Sequence, residues 1–189
     1  MIIGIDPGVS GAAAILHGGE LINVVRFIRK TPKEIYAEFH RAVREPTISL
    51  SMHLFAEDVH SSRGTSSQSM FTFGRSLGWV DMLCASLNVD PVMVQPVRWQ
   101  RGLGIASSKQ SFTNKKKGHK RKLRDLAEKL YPDWKMTNDQ ADAILIAEYG
   151  RRVMAGEVSD SNVQSLYERF SESVVRDVKI TRRLKIEEN

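Results

Sequence analysis

The first 28 residues most constrain the fold of this chain, because they predict three consecutive strands. Residues 2–5 are apolar, end at Asp6 and are followed by a turn containing glycine. Two further strand-forming stretches, Ala12–Leu16 and Glu20–Phe27, flank His17-Gly18-Gly19, a sequence typical of a tight hairpin turn. This pattern predicts an antiparallel meander on which the rest of the chain packs.

The remaining sequence predicts an alternation of helices and strands. Thr31-Pro32 followed by Glu34 marks a helix start, since threonine is a good N-cap and proline suits the first turn. The further predicted elements are a strand at 50–56, a helix at 68–87, a strand at 91–97, a brief helical turn at 99–103, a basic loop at 104–118, a basic helix at 119–130, and a helix from Asn138 (a candidate N-cap) or Asp139 to about 155. The predicted fold class is α/β, a mixed sheet flanked by helices.

The length of 189 residues fits one domain with an extension. We expect a domain over residues 1–155, and a polar, charged C-terminal extension over 156–189 with no assigned role. The single cysteine, Cys84, excludes an internal disulfide and a cysteine-based zinc site, and its apolar surroundings predict a buried thiol. No signal peptide and no apolar run of about 20 residues is evident, so we expect an intracellular, cytoplasmic protein, in a phage, bacterial or organellar setting left open.

Four acids occur where the predicted elements can bring them together. Asp6 and Glu57 each end an apolar strand, and strand alternation places Phe55 and Glu57 on one face of the sheet. Asp139 and Asp142 are three residues apart and therefore share one face of a helix. Carboxylates gathered in this way indicate a site for hard divalent metal ions such as Mg²⁺.

Structural roles explain some of these acids equally well. A strand-end aspartate can cap a turn, a strand-end glutamate can face solvent, and Asp139 suits the helix dipole. None of these roles explains Asp142, which lies in the apolar run Ala141–Ala147. A carboxylate there costs free energy unless a cation or strong donors compensate it.

The positive charge of the chain is concentrated in one segment. The net charge is +6 and the pI is about 9.5. Ten Lys or Arg residues and no acid lie between Pro91 and Arg124, and eight of the ten lie between Lys109 and Arg124. A solvated helix face does not need so many, and this density favours a polyanion such as nucleic acid as the partner.

With these features in place, the chain resembles the RuvC family of Holliday junction resolvases, within the RNase H-like superfold, over roughly residues 1–152. The resemblance rests on four pieces in this order: Ile3-Gly4-Ile5-Asp6-Pro7-Gly8, Phe55-Ala56-Glu57, Phe73-Gly74-Arg75-Ser76-Leu77-Gly78 and Asp139-Gln140-Ala141-Asp142-Ala143-Ile144-Leu145-Ile146-Ala147. The form of the third piece and a Leu-Tyr-Pro before the last acids are most similar to phage and organellar members. The resemblance implies an RNase H-like mixed five-stranded sheet flanked by helices.

The resemblance also implies an activity and a set of site residues. It implies a Mg²⁺-dependent endonuclease, with Mn²⁺ as a substitute and two ions per site, that resolves four-way DNA junctions by paired nicks leaving 5′-phosphate and 3′-hydroxyl ends. The implied metal ligands are Asp6, Glu57, Asp139 and Asp142, with Lys120 as a further catalytic residue. The predicted DNA-binding residues are His60, Arg63, Arg75, Arg98, Lys109, Lys115, Lys116, Lys117, Lys120, Arg121 and Lys122.

Two of these correspondences differ from the family pattern. His60 stands where bacterial members carry an aromatic residue that contacts the junction, and Arg98 stands where the family has a lysine. Phe71 and Phe73 are nearby aromatic candidates, although core packing is the favoured role for both.

A homodimer is implied as well, formed largely through the helix at 68–87, because a four-way junction is nearly two-fold symmetric. The apolar positions of that helix (Met70, Leu77, Val80 and Leu83) fit either the interface or the core of one subunit. Three other functions stay open. They are an RNase H-like nuclease acting on flaps, forks or RNA–DNA hybrids, an actin-like ATPase or kinase using Asp6-Pro7-Gly8 for phosphate, and a catalytically silent DNA-binding protein. Against the ATPase, the chain has no second phosphate loop.

Overall fold

A mixed five-stranded sheet forms the centre of the protein. The structure is a computed structural model that describes residues 1–44, 51–58, 66–105 and 115–160, with only the backbone described at 115–117. The strands are β1 (Ile2–Asp6), β2 (Ala12–His17), β3 (Glu20–Arg26), β4 (His53–Glu57) and β5 (Pro91–Val94). Their order across the sheet is β3-β2-β1-β4-β5. The predicted fold class is therefore confirmed.

The N-terminal meander has the predicted form. β1 pairs antiparallel with β2, and β2 pairs antiparallel with β3 through a turn at Gly18 and Gly19. Both glycines have positive φ angles, 60° and 90°, which residues with a Cβ rarely adopt. On the other side of the sheet β4 pairs parallel with β1, and β5 pairs parallel with β4.

The helices described are α1 (Pro32–Arg44), α2 (Ser67–Leu87), α3 (Pro96–Gly102), α4 (Lys115–Leu130) and α5 (Asn138–Met154). α1 starts as predicted: the Thr31 hydroxyl accepts from the Glu34 backbone N–H at 3.3 Å, and the Glu34 carboxylate accepts from the Thr31 N–H at 2.7 Å. None of the helices described is both long enough and apolar enough to span a bilayer.

Some predicted boundaries are wrong. β5 ends at Val94, three residues before the predicted end, because Pro96 begins α3 and proline suits the first turn of a helix. α4 begins at Lys115, inside the stretch predicted as a loop. The N-cap of α5 is Thr137 and not Asn138, because Thr137 and Gln140 form a reciprocal capping box.

Helices cover both faces of the sheet. Side chains alternate along each strand, so Ile3, Ile5 and Leu54 pack in one cluster with α1 and α2. Phe55 points to the other face and packs in a second cluster with α5. Gly4 faces α5 at very close range: a Cβ at this position would lie 2.2 Å from the backbone nitrogen of Ala147. β1 and α5 are therefore in direct backbone contact.

The chain after α5 continues along the same core. Val158 packs against the α5 cluster, and Asp160 is buried with 7% of its surface exposed. The predicted domain boundary at residue 155 stays a prediction, since the structure describes only the first five residues of the extension.

Candidate functional site

Asp6 and Glu57 lie on the face of the sheet that packs against α5. Asp6 has the same parity along β1 as Gly4, and Glu57 has the same parity along β4 as Phe55. The parallel register pairs Ile5 with Ala56, so the two acids end neighbouring strands side by side. Strand alternation thus brings the two acids to one place.

α5 and α4 contribute the other charges of the site. Asp139 and Asp142 occupy the first two turns of α5, and both contact the Lys120 ammonium of α4. The Lys120 Nζ lies 3.5 Å from Asp139 Oδ1 and 3.8 Å from Asp142 Oδ2. The four predicted acids and Lys120 therefore form one cluster, with Asp6 within electrostatic range of all the others.

Burial and mutual repulsion disfavour the ionised acids. Burial, followed by repulsion from Glu57 and Asp142, raises the pKa of Asp6 to about 8. Burial likewise raises the pKa of Asp142 to about 6, where Lys120 opposes the shift and Glu57 adds to it. The surroundings of the cluster therefore do not stabilise all four acids in their ionised form without a cation.

Lys120 and Trp99 partly stabilise the ionised form of the acids. Burial alone would lower the pKa of Lys120, but the attraction of Asp142, Asp139 and Asp6 outweighs it and raises the pKa. Burial raises the pKa of Glu57, against a hydrogen bond from Trp99 and the charge of Lys120. Ionising all four acids would place four carboxylates around one ammonium, a net negative site that suits a cation.

The cluster fits a divalent metal by its chemistry but is not a closed cage. Among the described residues, no group of three or more His, Cys, Asp or Glu side chains is arranged to hold an ion. The carboxylate oxygens are the ligands that Mg²⁺ prefers. Asp142 Oδ1 is buried and finds no hydrogen-bond partner among the described residues, so it is an acceptor that a cation could satisfy.

Trp99 is a contact of the site that the sequence did not indicate. Its indole Nε1–H donates to Glu57 Oε1 at 3.0 Å, and the ring is 1% exposed. The neighbouring Arg98 donates to Asp160 Oδ1 at 3.2 Å, and the Tyr149 hydroxyl also donates to Asp160. No local signal identifies these pairs, because 42 residues separate Trp99 from Glu57 and 62 separate Arg98 from Asp160.

The predicted DNA-binding residues lie in different settings. On α4, Arg121 is 77% exposed by its side chain and pairs with Asp125 at 3.8 Å, and Lys122 is exposed. Arg75 is exposed on α2. Arg98 lies on α3, where its charge is paired with Asp160. The backbone of Lys115, Lys116 and Lys117 forms the first turn of α4, and His60, Arg63 and Lys109 lie outside the described residues.

α2 divides its apolar residues between the core and the surface. Val80 and Leu83 are buried in the α1–α2 cluster, so these two residues belong to the core of one subunit. Met70 is 47% exposed and Phe71 is 71% exposed, so core packing, the favoured role for Phe71, is wrong. Phe73 is partly buried and lines a cleft of about 280 Å³ beside Gly8, next to the strand end that carries Asp6.

Comparison with solved structures finds the same fold in Thermus thermophilus RuvC. The structure of that protein in complex with Holliday junction substrate superposes with a TM-score of 0.53 at 16% identity, covering 82% of this chain and 96% of that one. Another Thermus thermophilus RuvC structure gives the same score and identity over 84% and 98% of the two chains. A fowlpox virus resolvase in complex with junction DNA gives a TM-score of 0.43 at 12% identity, over 78% and 96%.

No protein-family model matches the sequence, and no curated protein matches it either. The likeness to RuvC is therefore one of three-dimensional arrangement. It agrees with the sheet order, the flanking helices and the resemblance stated from the sequence. The chain has the RNase H-like fold of the RuvC Holliday junction resolvases.

Proposed function

We propose that this protein is a structure-selective endonuclease that resolves four-way DNA junctions in a reaction dependent on Mg²⁺. The observation that carries the proposal is the convergence of Asp6, Glu57, Asp139 and Asp142 around one lysine at the ends of β1 and β4. The fold shared with Thermus thermophilus RuvC, which was solved with junction substrate, supports the choice of substrate. The preference for junctions over flaps, forks or hybrids is part of the proposal.

The four carboxylates would hold two Mg²⁺ ions, with Mn²⁺ as a substitute. Bound metal would activate a water molecule and stabilise the leaving 3′ oxygen during phosphodiester cleavage. The oxygen of water would form a new bond to phosphorus, the bond from phosphorus to the 3′ oxygen would break, and the proton released by the water would balance the one that the 3′ oxygen takes up, so that the products carry 5′-phosphate and 3′-hydroxyl ends. Asp142 Oδ1 is buried and receives no hydrogen bond from the described residues, so it is a candidate ligand atom.

Lys120 acts on the phosphate from the helix side of the site. The Lys120 side chain is 46% exposed, so it can reach a bound substrate while its ammonium stays near Asp139 and Asp142. A positive charge held there stabilises the extra negative charge that develops on phosphate in the transition state. Its raised pKa keeps it protonated at neutral pH.

The basic face of α4 would bind the DNA backbone. Arg121 and Lys122 are exposed on the helix that carries Lys120, and the helix begins with three further lysines. Phosphate contacts of this kind supply affinity without regard to sequence. Arg98 is a weaker candidate for this surface, since Asp160 already pairs with it.

A homodimer would place two such sites on the two opposing strands of a junction. The exposed apolar side chains of Met70 and Phe71 lie together on α2, the helix predicted to form the interface. Burying them between two subunits would remove apolar surface from water. Phe71→Ser should therefore shift the protein from dimer to monomer in sedimentation velocity, and Tyr36→Ser, which alters an exposed aromatic residue on α1, should leave the dimer intact.

A nicking assay on labelled DNA tests the activity. A synthetic four-way junction is compared with a flap, a plain duplex and an RNA–DNA hybrid, each with Mg²⁺ and with EDTA. We expect paired symmetric nicks in the junction that disappear with EDTA, and Asp6→Asn should bind the junction without cutting it. Preferential cutting of the flap or hybrid would reassign the substrate, and normal cutting by Asp6→Asn would refute the metal site.

A further inference from the structure

We infer that Trp99 is a positioning residue for Glu57: its indole N–H fixes the carboxylate so that one oxygen is held by the protein and the other is presented to metal. The inference rests on the proposed function of the acidic cluster. It assigns a role to a side chain that carries no charge, lies 42 residues from its partner in sequence and is buried.

The geometry makes the contact a specific one. The indole Nε1 lies 3.0 Å from Glu57 Oε1, which is a normal hydrogen-bond length. The Trp99 ring is 1% exposed, so water cannot replace the acceptor at low cost. A buried tryptophan needs a partner for its single N–H group, and Glu57 is the partner that this structure provides.

The hydrogen bond constrains how Glu57 can act. A carboxylate has two oxygens, and the bond to Trp99 engages Oε1. Glutamate has three side-chain torsions, and fixing one oxygen removes most of their freedom before a metal arrives. Partners that orient a metal ligand in this way commonly change metal affinity by about 10- to 100-fold when they are removed.

Contacts of α3, the helix that carries Trp99, fix the position of this side chain. The helix is anchored through Arg98, whose guanidinium donates to Asp160 Oδ1 at 3.2 Å. Asp160 is buried and also accepts from the hydroxyl of Tyr149, a residue of α5. α5 carries Asp139 and Asp142, so these contacts tie the helix that orients Glu57 to the helix that supplies the other acids.

Metal binding to tryptophan variants provides the first test. We expect Trp99→Phe, which keeps the ring in the core and removes the N–H donor, to raise the Kd for Mg²⁺ about tenfold by isothermal titration calorimetry. The matched control is Trp79→Phe, which makes the same change in a ring that packs edge-on against Phe27 in the α1–α2 cluster, on the face of the sheet opposite Glu57. Its Kd should equal that of the unmodified protein. A Kd for Trp99→Phe within twofold of the control would show that Trp99 only fills the core.

A second measurement does not require that the Trp99 variant folds. The chain has three tryptophans, so the indole resonance of Trp99 is the one retained in the ¹⁵N spectra of both Trp79→Phe and Trp134→Phe. We expect it to shift with added Mg²⁺, with the same midpoint as the calorimetric Kd. A Trp99 resonance that stays fixed while backbone resonances around Asp142 move would overturn the inference and leave the metal site standing. If no resonance moves and calorimetry detects no binding, both the inference and the proposed function fail.

Discussion

Replacing Asp6 by asparagine should stabilise the metal-free protein while it removes the proposed activity. Asp6 has a pKa of about 8 in the folded chain against 3.8 as its ordinary value, so the folded state binds a proton that the unfolded state releases at neutral pH. Stability therefore falls as the pH rises from 3.8 to about 8. Asparagine is nearly the same size, stays neutral and avoids this loss.

The magnitude follows from the pH interval. Each pH unit over which the two states differ by one proton is worth about 1.4 kcal/mol. Between the ordinary pKa of 3.8 and pH 7 the interval gives an upper limit of about 4 kcal/mol. Water and neighbouring side chains rearrange to screen the charge, so we expect about 2 kcal/mol. For a chain of this length that corresponds to a rise in Tm of about 4–8 °C.

Urea denaturation in EDTA measures the effect. The difference between Asp6→Asn and the unmodified protein should be small near pH 4, grow to pH 7 and level off above pH 8. Asp133→Asn, which neutralises an exposed acid in the turn before α5, should change stability by less than about 0.5 kcal/mol. An Asp6→Asn variant that is no more stable than the unmodified protein at pH 7 would falsify the reasoning from repulsion.

Mg²⁺ should make the unmodified protein more stable than Asp6→Asn, the reverse of their order in EDTA. A cation that binds only the folded state stabilises it by mass action, by about 2.7 kcal/mol at a concentration 100 times the Kd. The unmodified protein should gain this amount, and Asp6→Asn should gain little because it lacks one ligand charge. Equal gains in both proteins would show that Mg²⁺ binds elsewhere.

Four further changes probe other parts of the structure. Gly4→Ala should lower the free energy of unfolding by more than about 3 kcal/mol in urea titration, since its Cβ would lie 2.2 Å from the backbone of α5. The Cβ of Gly74→Ala meets no atom of the described residues within 4 Å, and this change should raise the free energy of unfolding by up to about 1 kcal/mol. Lys120→Ala should lower the single-turnover cleavage rate about 100-fold and change the Kd for junction DNA less than about threefold, as measured by quenched-flow and fluorescence anisotropy. If the Kd for junction DNA changed by a larger factor than the cleavage rate, Lys120 would serve DNA binding and not the chemical step. Asp160→Asn should cost about 1–2 kcal/mol in urea titration, because a buried charge that accepts from two donors becomes neutral. An unchanged midpoint would argue against the α3–α5 link.

The sequence predicted the sheet well because its signals are local and repeated. Each predicted strand overlaps an observed one, and alternation along β4 correctly placed Phe55 and Glu57 on one face. The acids could be predicted as a group for the same reason, since strand ends and helix starts leave clear marks in sequence. Their gathering in space follows from the strand parity and from the parallel register of β1 and β4.

The errors arise where neighbouring signals compete. Thr137 and Asn138 are both good N-caps, and the deciding feature is Gln140, three residues after Thr137, which completes the capping box. Pro96 fits the end of a strand and the first turn of a helix, and the helix prevails. Phe71 looked like a core residue by its chemistry, but its angular position on α2 turns it to the surface.

The position of the site depends on Gly4, a residue without a functional side chain. Asp6 and Glu57 belong to the sheet, and Asp139, Asp142 and Lys120 belong to the helices, so the spacing of the two layers sets the spacing of the charges.

That spacing is set at Gly4, where β1 meets the backbone of Ala143 and Ala147. Any side chain at Gly4 would push the layers apart by more than about 1 Å, because ordinary carbon contacts require 3.4 Å or more and a Cβ there would have 2.2 Å. The glycine two residues before Asp6 is therefore as necessary to the spacing of the acidic cluster as the carboxylates are to its charge.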